Sequence, residues 1–383
     1  MTTSGHPTPA QADRTRAAGK LPANLPPLGR LPLLILGFIA LFTGVGAGLA
    51  RLGWTMPDIA ASNAGQHGAL MACGFFGVVI ALERAVAIAR LWAYLGPLLA
   101  GLGTATVVHG LSHVGAWLYL GASLVLLIGS LDIVRRQPAL FTATIALGAA
   151  SWVVGNLLWA IGQGAPVVVP WWLAFLILTI AGERLELSRF LQPSTAVQQQ
   201  FAVVLALTML ALVGIGQSWG PMLFAIGLLA LAVWLVRNDI ARRTVKQRGL
   251  TRFIAVCLLS GYAWLVVGAL VLLTAGELAP GTRSYDAVMH ALGMGFVFSM
   301  VFGHAPIIFP AVLRVAVPYH PIFYAPLVLL HAGLVLRLGG DATGDFDVIR
   351  WGGLVGAVAL LGFIVSTVAA VVRGLIIASA RPR

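Results

Sequence analysis

Apolar runs of about 20 residues recur from one end of this 383-residue chain to the other, and each is long enough to cross a bilayer as a helix. Twelve can be counted, at 31–50, 67–88, 93–113, 116–134, 139–161, 165–182, 201–216, 220–236, 252–274, 286–312, 321–338 and 351–375. A water-soluble fold is excluded, because 59% of the residues are hydrophobic and only 9% charged, against about 25% charged in soluble domains. The expected fold class is all-α, a polytopic membrane protein of about twelve transmembrane helices.

The domain plan follows. Residues 1–30 are polar, rich in Pro, Ala and Thr, and contain no apolar segment, so they are expected to be a disordered cytoplasmic tail and not a cleaved leader. Residues 31–376 form the membrane domain and 377–383 a second cytoplasmic tail. With both termini inside, 20 of the 24 Lys and Arg fall on the inner face and 4, Arg51, Arg283, Arg337 and Arg350, on the outer face. The +12 net charge is therefore an orientation signal for a bacterial inner membrane, and no nucleic-acid partner is expected. Cys73 and Cys257 lie inside spans without a surrounding ligand pattern and are read as packing residues.

One motif is written twice. Ile80 opens Ile-Ala-Leu-Glu-Arg and Ile180 opens Ile-Ala-Gly-Glu-Arg, at the inner ends of the second and sixth spans. Four spans further on, Val301-Phe302-Gly303-His304 occupies the equivalent place, with His304 where Glu83 and Glu183 stand. A major-facilitator plan repeats after six spans, whereas an interval of four predicts a pseudo-threefold repeat of four helices. On that interval the plan is similar to the haem-copper oxidase catalytic subunit, a likeness of fold alone. Glu83, Glu183 and His304 become candidates for a pore or proton relay. The Glu-Arg pairs equally suit ion pairs capping their spans at the membrane edge.

Two of these three spans also open on a histidine. His67 lies 16 residues before Glu83, about 24 Å along a helix, and His290 lies 14 before His304, so the two match in depth to about 3 Å. Histidines at one depth on facing helices suit the two axial positions of a haem iron, while a lone intramembrane imidazole can instead donate to a backbone carbonyl. Arg51 or Arg283 would partner the propionates, and Gly68, Gly74, Gly293 and Gly295 would leave room for the macrocycle. No Cys-x-x-Cys-His is present, so the expected cofactor is a non-covalent haem b. Met71, Met289, Met294 and Met300 share these two spans and are read first as flexible packing.

At the end of the third span, His109 and His113 are spaced to share one helical face, which suits copper or zinc, with His331 as a third ligand. The alternative is interfacial histidines. The remaining outer carboxylates, Asp58, Glu277, Asp286, Asp341, Asp345 and Asp347, are assigned to loops without a ligand motif. His320 is placed in an exposed inner loop.

His67-x-x-x-Met71-x-x-Gly74-Phe75 and His290-Ala291-Leu292-x-x-Gly295 resemble two helices of the NnrS family, and twelve spans at this length fit as well. The resemblance implies a haem- and copper-containing inner-membrane protein linked to nitric oxide and denitrification, with haem at His67, His290 or both. Where that family's second span carries a further His and a Glu, this chain has Ala69 and Leu70. Two other functions suit the same spans: a secondary transporter with its pathway along Glu83, Glu183 and His304, and an assembly or structural partner of an oxidase complex. Catalysis, substrate and oligomeric state are not written in the chain.

Overall fold

The structure is a computed structural model and describes residues 24–379. Twelve helices are long and apolar enough to span a membrane: α1 (Pro27–Arg51), α2 (Ala64–Ile88), α3 (Leu91–Val108), α4 (Ser112–Arg136), α5 (Leu140–Ala160), α6 (Ala165–Leu191), α7 (Thr195–Val213), α8 (Gly220–Asn238), α9 (Gly249–Ala275), α10 (Arg283–Leu313), α11 (Pro321–Thr343) and α12 (Phe346–Ile377). The described residues contain no strand. The all-α polytopic fold is as expected, because a backbone in hydrocarbon must satisfy its own hydrogen bonds within each helix. Most of the 1–30 segment and the residues after 379 lie outside the described residues. The helical part begins earlier than position 31, at Pro27, where a proline suits the first turn.

Neighbouring helices pack in three runs: α11–α12–α1–α2, α3–α4–α5–α6 and α7–α8–α9–α10. The last member of each run turns inward, and α2, α6 and α10 touch one another. The same three helices end alike. Ala89, Gln192 and Arg314, each closing one of them, are the non-glycine residues with left-handed φ among those described, at 56°, 48° and 56°. Left-handed backbone at a side-chain-bearing residue is uncommon, so its recurrence every fourth helix marks a structural repeat.

α6 is buried on nearly all sides, which explains its unbroken apolar sequence. Trp172, Phe175 and Ile177 fill its surroundings, and Phe175 stacks on Trp152 at 4.7 Å and 9°. Large apolar side chains on the outer helices, among them Ile35 and Phe42 on α1, Ile128 on α4 and Val365 on α12, are exposed. A contiguous apolar exterior of this kind suits lipid contact.

The chain ends described here, near Asn24 and Gly374, lie at the Glu83 end of the bundle: Asn24 Nδ2 donates to the Val86 carbonyl at 3.2 Å, and Gly374 abuts Ala316. The opposite end is called the His67 end below.

Candidate functional site

His67 and His290 meet at the His67 end. Their ring centroids are 6.3 Å apart and their planes differ by 15°. Each ring is tied by Nδ1 to a main-chain oxygen, His67 to Gly44 at 2.6 Å and His290 to Asp286 at 2.8 Å. A carbonyl only accepts, so Nδ1 carries the proton and Nε2 keeps its lone pair. Neither Nε2 has a hydrogen-bond partner among the described residues. Both rings face a cavity of about 510 Å³, within the range of about 300–1,000 Å³ of sites that hold organic ligands.

Local sequence sets this geometry. His67 seats against Gly48, where a Cβ would lie 2.9 Å from the ring. Within three residues of each histidine the helix widens into π turns, at Leu70–Phe76 in α2 and Ala291–Phe298 in α10. Such turns interrupt regular helix and concentrate at functional positions. Gly68 and Gly293 border open space. Gly74 and Gly295 do not: a Cβ on the first would meet Ala40 at 2.8 Å, and on the second Trp264 at 2.5 Å. These two glycines are there for close helix packing.

Three arginines line this cavity. Arg337 is committed to Asp286, through Nε at 2.7 Å and Nη2 at 2.8 Å. Asp286 Oδ1 also lies 3.3 Å from His290 Nδ1, so the pair braces that ring. Arg51 and Arg283 have no carboxylate partner among the described residues and are exposed at the mouth. Asp286 and Asp341, expected in loops, are instead within α10 and α11, and Asp341 keeps a buried Oδ2 without a partner. The braced imidazole was readable in principle, since Asp286 and His290 are spaced i, i+4. Arg337 gave no such signal, because it arrives from another helix.

A second cavity, of about 110 Å³, lies at the Glu83 end and is lined by Glu83, Glu183 and His304. The three residues expected at matched depth therefore share one space. Phe75 and Phe76 of α2, Phe298 of α10 and Leu176 of α6 separate the two cavities. Phe75 stacks on Phe298 at 5.9 Å and 8°. The Glu-Arg pairs do more than cap their own spans. Arg84 bonds Glu183 at 2.8 Å, and Arg184 bonds Asp239 at 2.7 Å and donates to His304 Nε2 at 3.3 Å. Asp239 accepts from Tyr262 at 2.7 Å and from the Ala241 amide at 2.7 Å.

The proposed copper ligands do not converge. α3 ends at Val108, and Gly110 adopts φ 83° before α4 begins at Ser112, so His109 caps the end of α3 while His113 lies in the first turn of α4. The i, i+4 spacing spans a glycine turn and not a helical face. Both are exposed. His331 accepts the Trp264 indole proton on Nδ1 at 2.9 Å, which leaves its own proton on a buried, unpartnered Nε2. No group of three His, Cys, Asp or Glu suited to a metal ion occurs among the described residues. His320 is exposed, as expected, and its Nδ1 accepts from the Ile322 amide. Cys73 is not only packing: its thiol donates to Asn156 Oδ1 at 3.2 Å and accepts from Trp152 at 3.3 Å.

Fold and cavities define a class: a twelve-helix membrane protein whose second, sixth and tenth helices enclose a histidine-lined cavity at one end and a carboxylate-lined one at the other. The chain belongs to the family described as Domain of unknown function (DUF8744), which matches residues 30–372. No curated protein matches the chain.

Proposed function

We propose that this protein binds one b-type haem non-covalently between His67 and His290 and serves in redox or nitric oxide handling in a bacterial inner membrane. The observation that carries the reading is the spacing of two anchored imidazoles. With centroids 6.3 Å apart and planes 15° apart, His67 and His290 are close enough that both would hold one haem iron. Anchoring Nδ1 on a carbonyl is the usual support of a metal-binding histidine. Arg51 and Arg283, without a carboxylate partner at the cavity mouth, are suited to the two propionates, which a guanidinium can bind in a two-pronged fork.

When bound, haem would supply one-electron chemistry, and an iron with one open side would take a diatomic gas. The protein's own part is to hold the rings, to exclude water through the Phe75–Phe298 partition and to set the environment through the Asp286–Arg337 brace. The basic asymmetry of the sequence supports a cytoplasmic position for both termini, and with them the Glu83 end.

Optical spectra of the purified protein, oxidised and dithionite-reduced, test the reading. The expected result is the spectrum of six-coordinate haem b, lost or converted to a five-coordinate form in His67→Ala and His290→Ala. Unchanged haem content and spectrum in both well-folded variants would place haem elsewhere. Loss in only one would favour an open iron position and gas binding.

A second reading, a secondary transporter, is favoured by the shared cavity of Glu83, Glu183 and His304. It predicts solute flux in proteoliposomes that falls in Glu83→Gln, with no dependence on His67.

A further inference from the structure

The Glu-Arg repeat has a direction. Arg84 of α2 reaches Glu183 of α6, and Arg184 of α6 reaches His304 of α10. Each arginine contacts the side chain that stands, in the next repeat, one position before that repeat's own arginine site. The third link would run from position 305 of α10 back to Glu83 of α2. Position 305 is alanine, so the ring is open there and Glu83 has no partner. Among the described residues Glu83 makes no hydrogen bond and no ion pair, and it is enclosed by protein except where it faces the cavity.

We propose that Glu83 is a proton-binding site, taking a proton from cavity water where the repeat would have placed a third arginine. The step is simple acid–base exchange. A hydronium ion gives its proton to the carboxylate, an O–H bond forms on Glu83, and water is left in the cavity; release is the reverse. A volume of about 110 Å³ has room for water and is well below the about 300–1,000 Å³ of sites that hold organic ligands. A metal cation is a poor fit, since Ca²⁺ or Mg²⁺ wants about six oxygens. Glu183 is already held by Arg84, and Thr179 donates its hydroxyl proton to the Phe175 carbonyl. The other walls are apolar, apart from His304, whose Nδ1 is bonded to Met300 at 2.6 Å and whose Nε2 accepts from Arg184.

Several charged and titratable groups on the helices packed around Glu83 are engaged elsewhere, and Arg90 and Arg135 are exposed. Arg30 of α1 bonds the Leu25 and Val312 carbonyls, Tyr94 of α3 bonds Asn24, and Asp132 of α4 pairs with Arg136. Arg84, adjacent in sequence, points to Glu183. Protonation is thus how a carboxyl without a cation is kept neutral in this space.

The inference shares its cavity with the transport reading but requires neither solute flux nor haem. Infrared difference spectra of the full-length protein in lipid nanodiscs, titrated in pH, test it. The expected result is a carboxylic-acid C=O band that grows as pH falls, shifts in D₂O and is absent from Glu83→Gln. Ala305→Arg, which closes the ring, moves the band to lower pH or removes it. The proposal is overturned if the wild type shows no such band over the range in which it stays folded, or if the band survives in Glu83→Gln. Flux absent with the band present would sink the transporter alone.

Discussion

The two cavities sit on the same three helices and are built on opposite principles. At the His67 end, polar groups are braced and then left open: two imidazoles with free Nε2 atoms, two arginines without a carboxylate partner and an unpartnered Asp341 oxygen around about 510 Å³. At the Glu83 end, every charge lining the cavity except Glu83 is closed on another across helices, and the space left is about 110 Å³. A site that keeps polar groups unsatisfied forgoes stability, and such groups are retained where a ligand completes them. The Glu83 end holds the bundle together, and the His67 end is where a ligand would be received.

The sharpest way to break that contrast is to open the closed network. Arg184 and Asp239 have side-chain exposures of 3% and 0%. Asp239→Ala strands a buried guanidinium and removes the acceptor of Tyr262 and of the Ala241 amide. We expect a loss of about 3–5 kcal/mol, read as a fall in unfolding midpoint in detergent. The corresponding change at the other end, Asp286→Ala, is expected to cost about 1–3 kcal/mol, because Asp286 is 30% exposed. A larger loss at Asp286 than at Asp239 would reverse the assignment of the two ends.

Next in size are two glycines two residues apart in α10. Gly295→Val drives a side chain into Trp264, with an expected cost of about 1–3 kcal/mol. Gly293→Val points into open space, and the cost should stay within about 0.5 kcal/mol. Its effect is expected on ligand content instead, since the added methyls occupy the cavity. Equal destabilisation by the two would mean that the His67-end cavity is not open.

These contrasts also show what the sequence could carry. Span number was legible because hydrocarbon imposes a length on every helix, and the four-helix interval was legible because Glu83-Arg84 and Glu183-Arg184 repeat at matching depth. The meeting of His67 with His290 followed from the same register. Arg337 was not legible, since its partner Asp286 comes from a different helix and no spacing encodes that approach. His109 and His113 misled because Gly110 turns the chain between them, and periodicity is blind to a φ of 83°. The π turns after each histidine have no composition of their own. Gly74 and Gly295 look like Gly68 and Gly293 in sequence, and only packing separates them.

The smallest effect expected is the coupling between Arg84 and Glu183, and it bears on why the motif is written twice. These side chains are 15% and 23% exposed, one hydrogen bond joins them, and Arg84 Nε is left without a partner. A pair of this kind should show a coupling of no more than about 1 kcal/mol in a double-mutant cycle with Arg84→Gln and Glu183→Gln. The single change Arg84→Gln should cost more than that coupling, because it leaves Glu183 without its cation beside the small cavity it shares with Glu83. The cycle and the single variant therefore separate two roles. A coupling near 3 kcal/mol would make the pair a structural clamp like Arg184–Asp239. A weak coupling beside a costly Arg84→Gln would mean that Arg84 acts on the charge of the cavity, and that the repeat was kept for the carboxylates it places there.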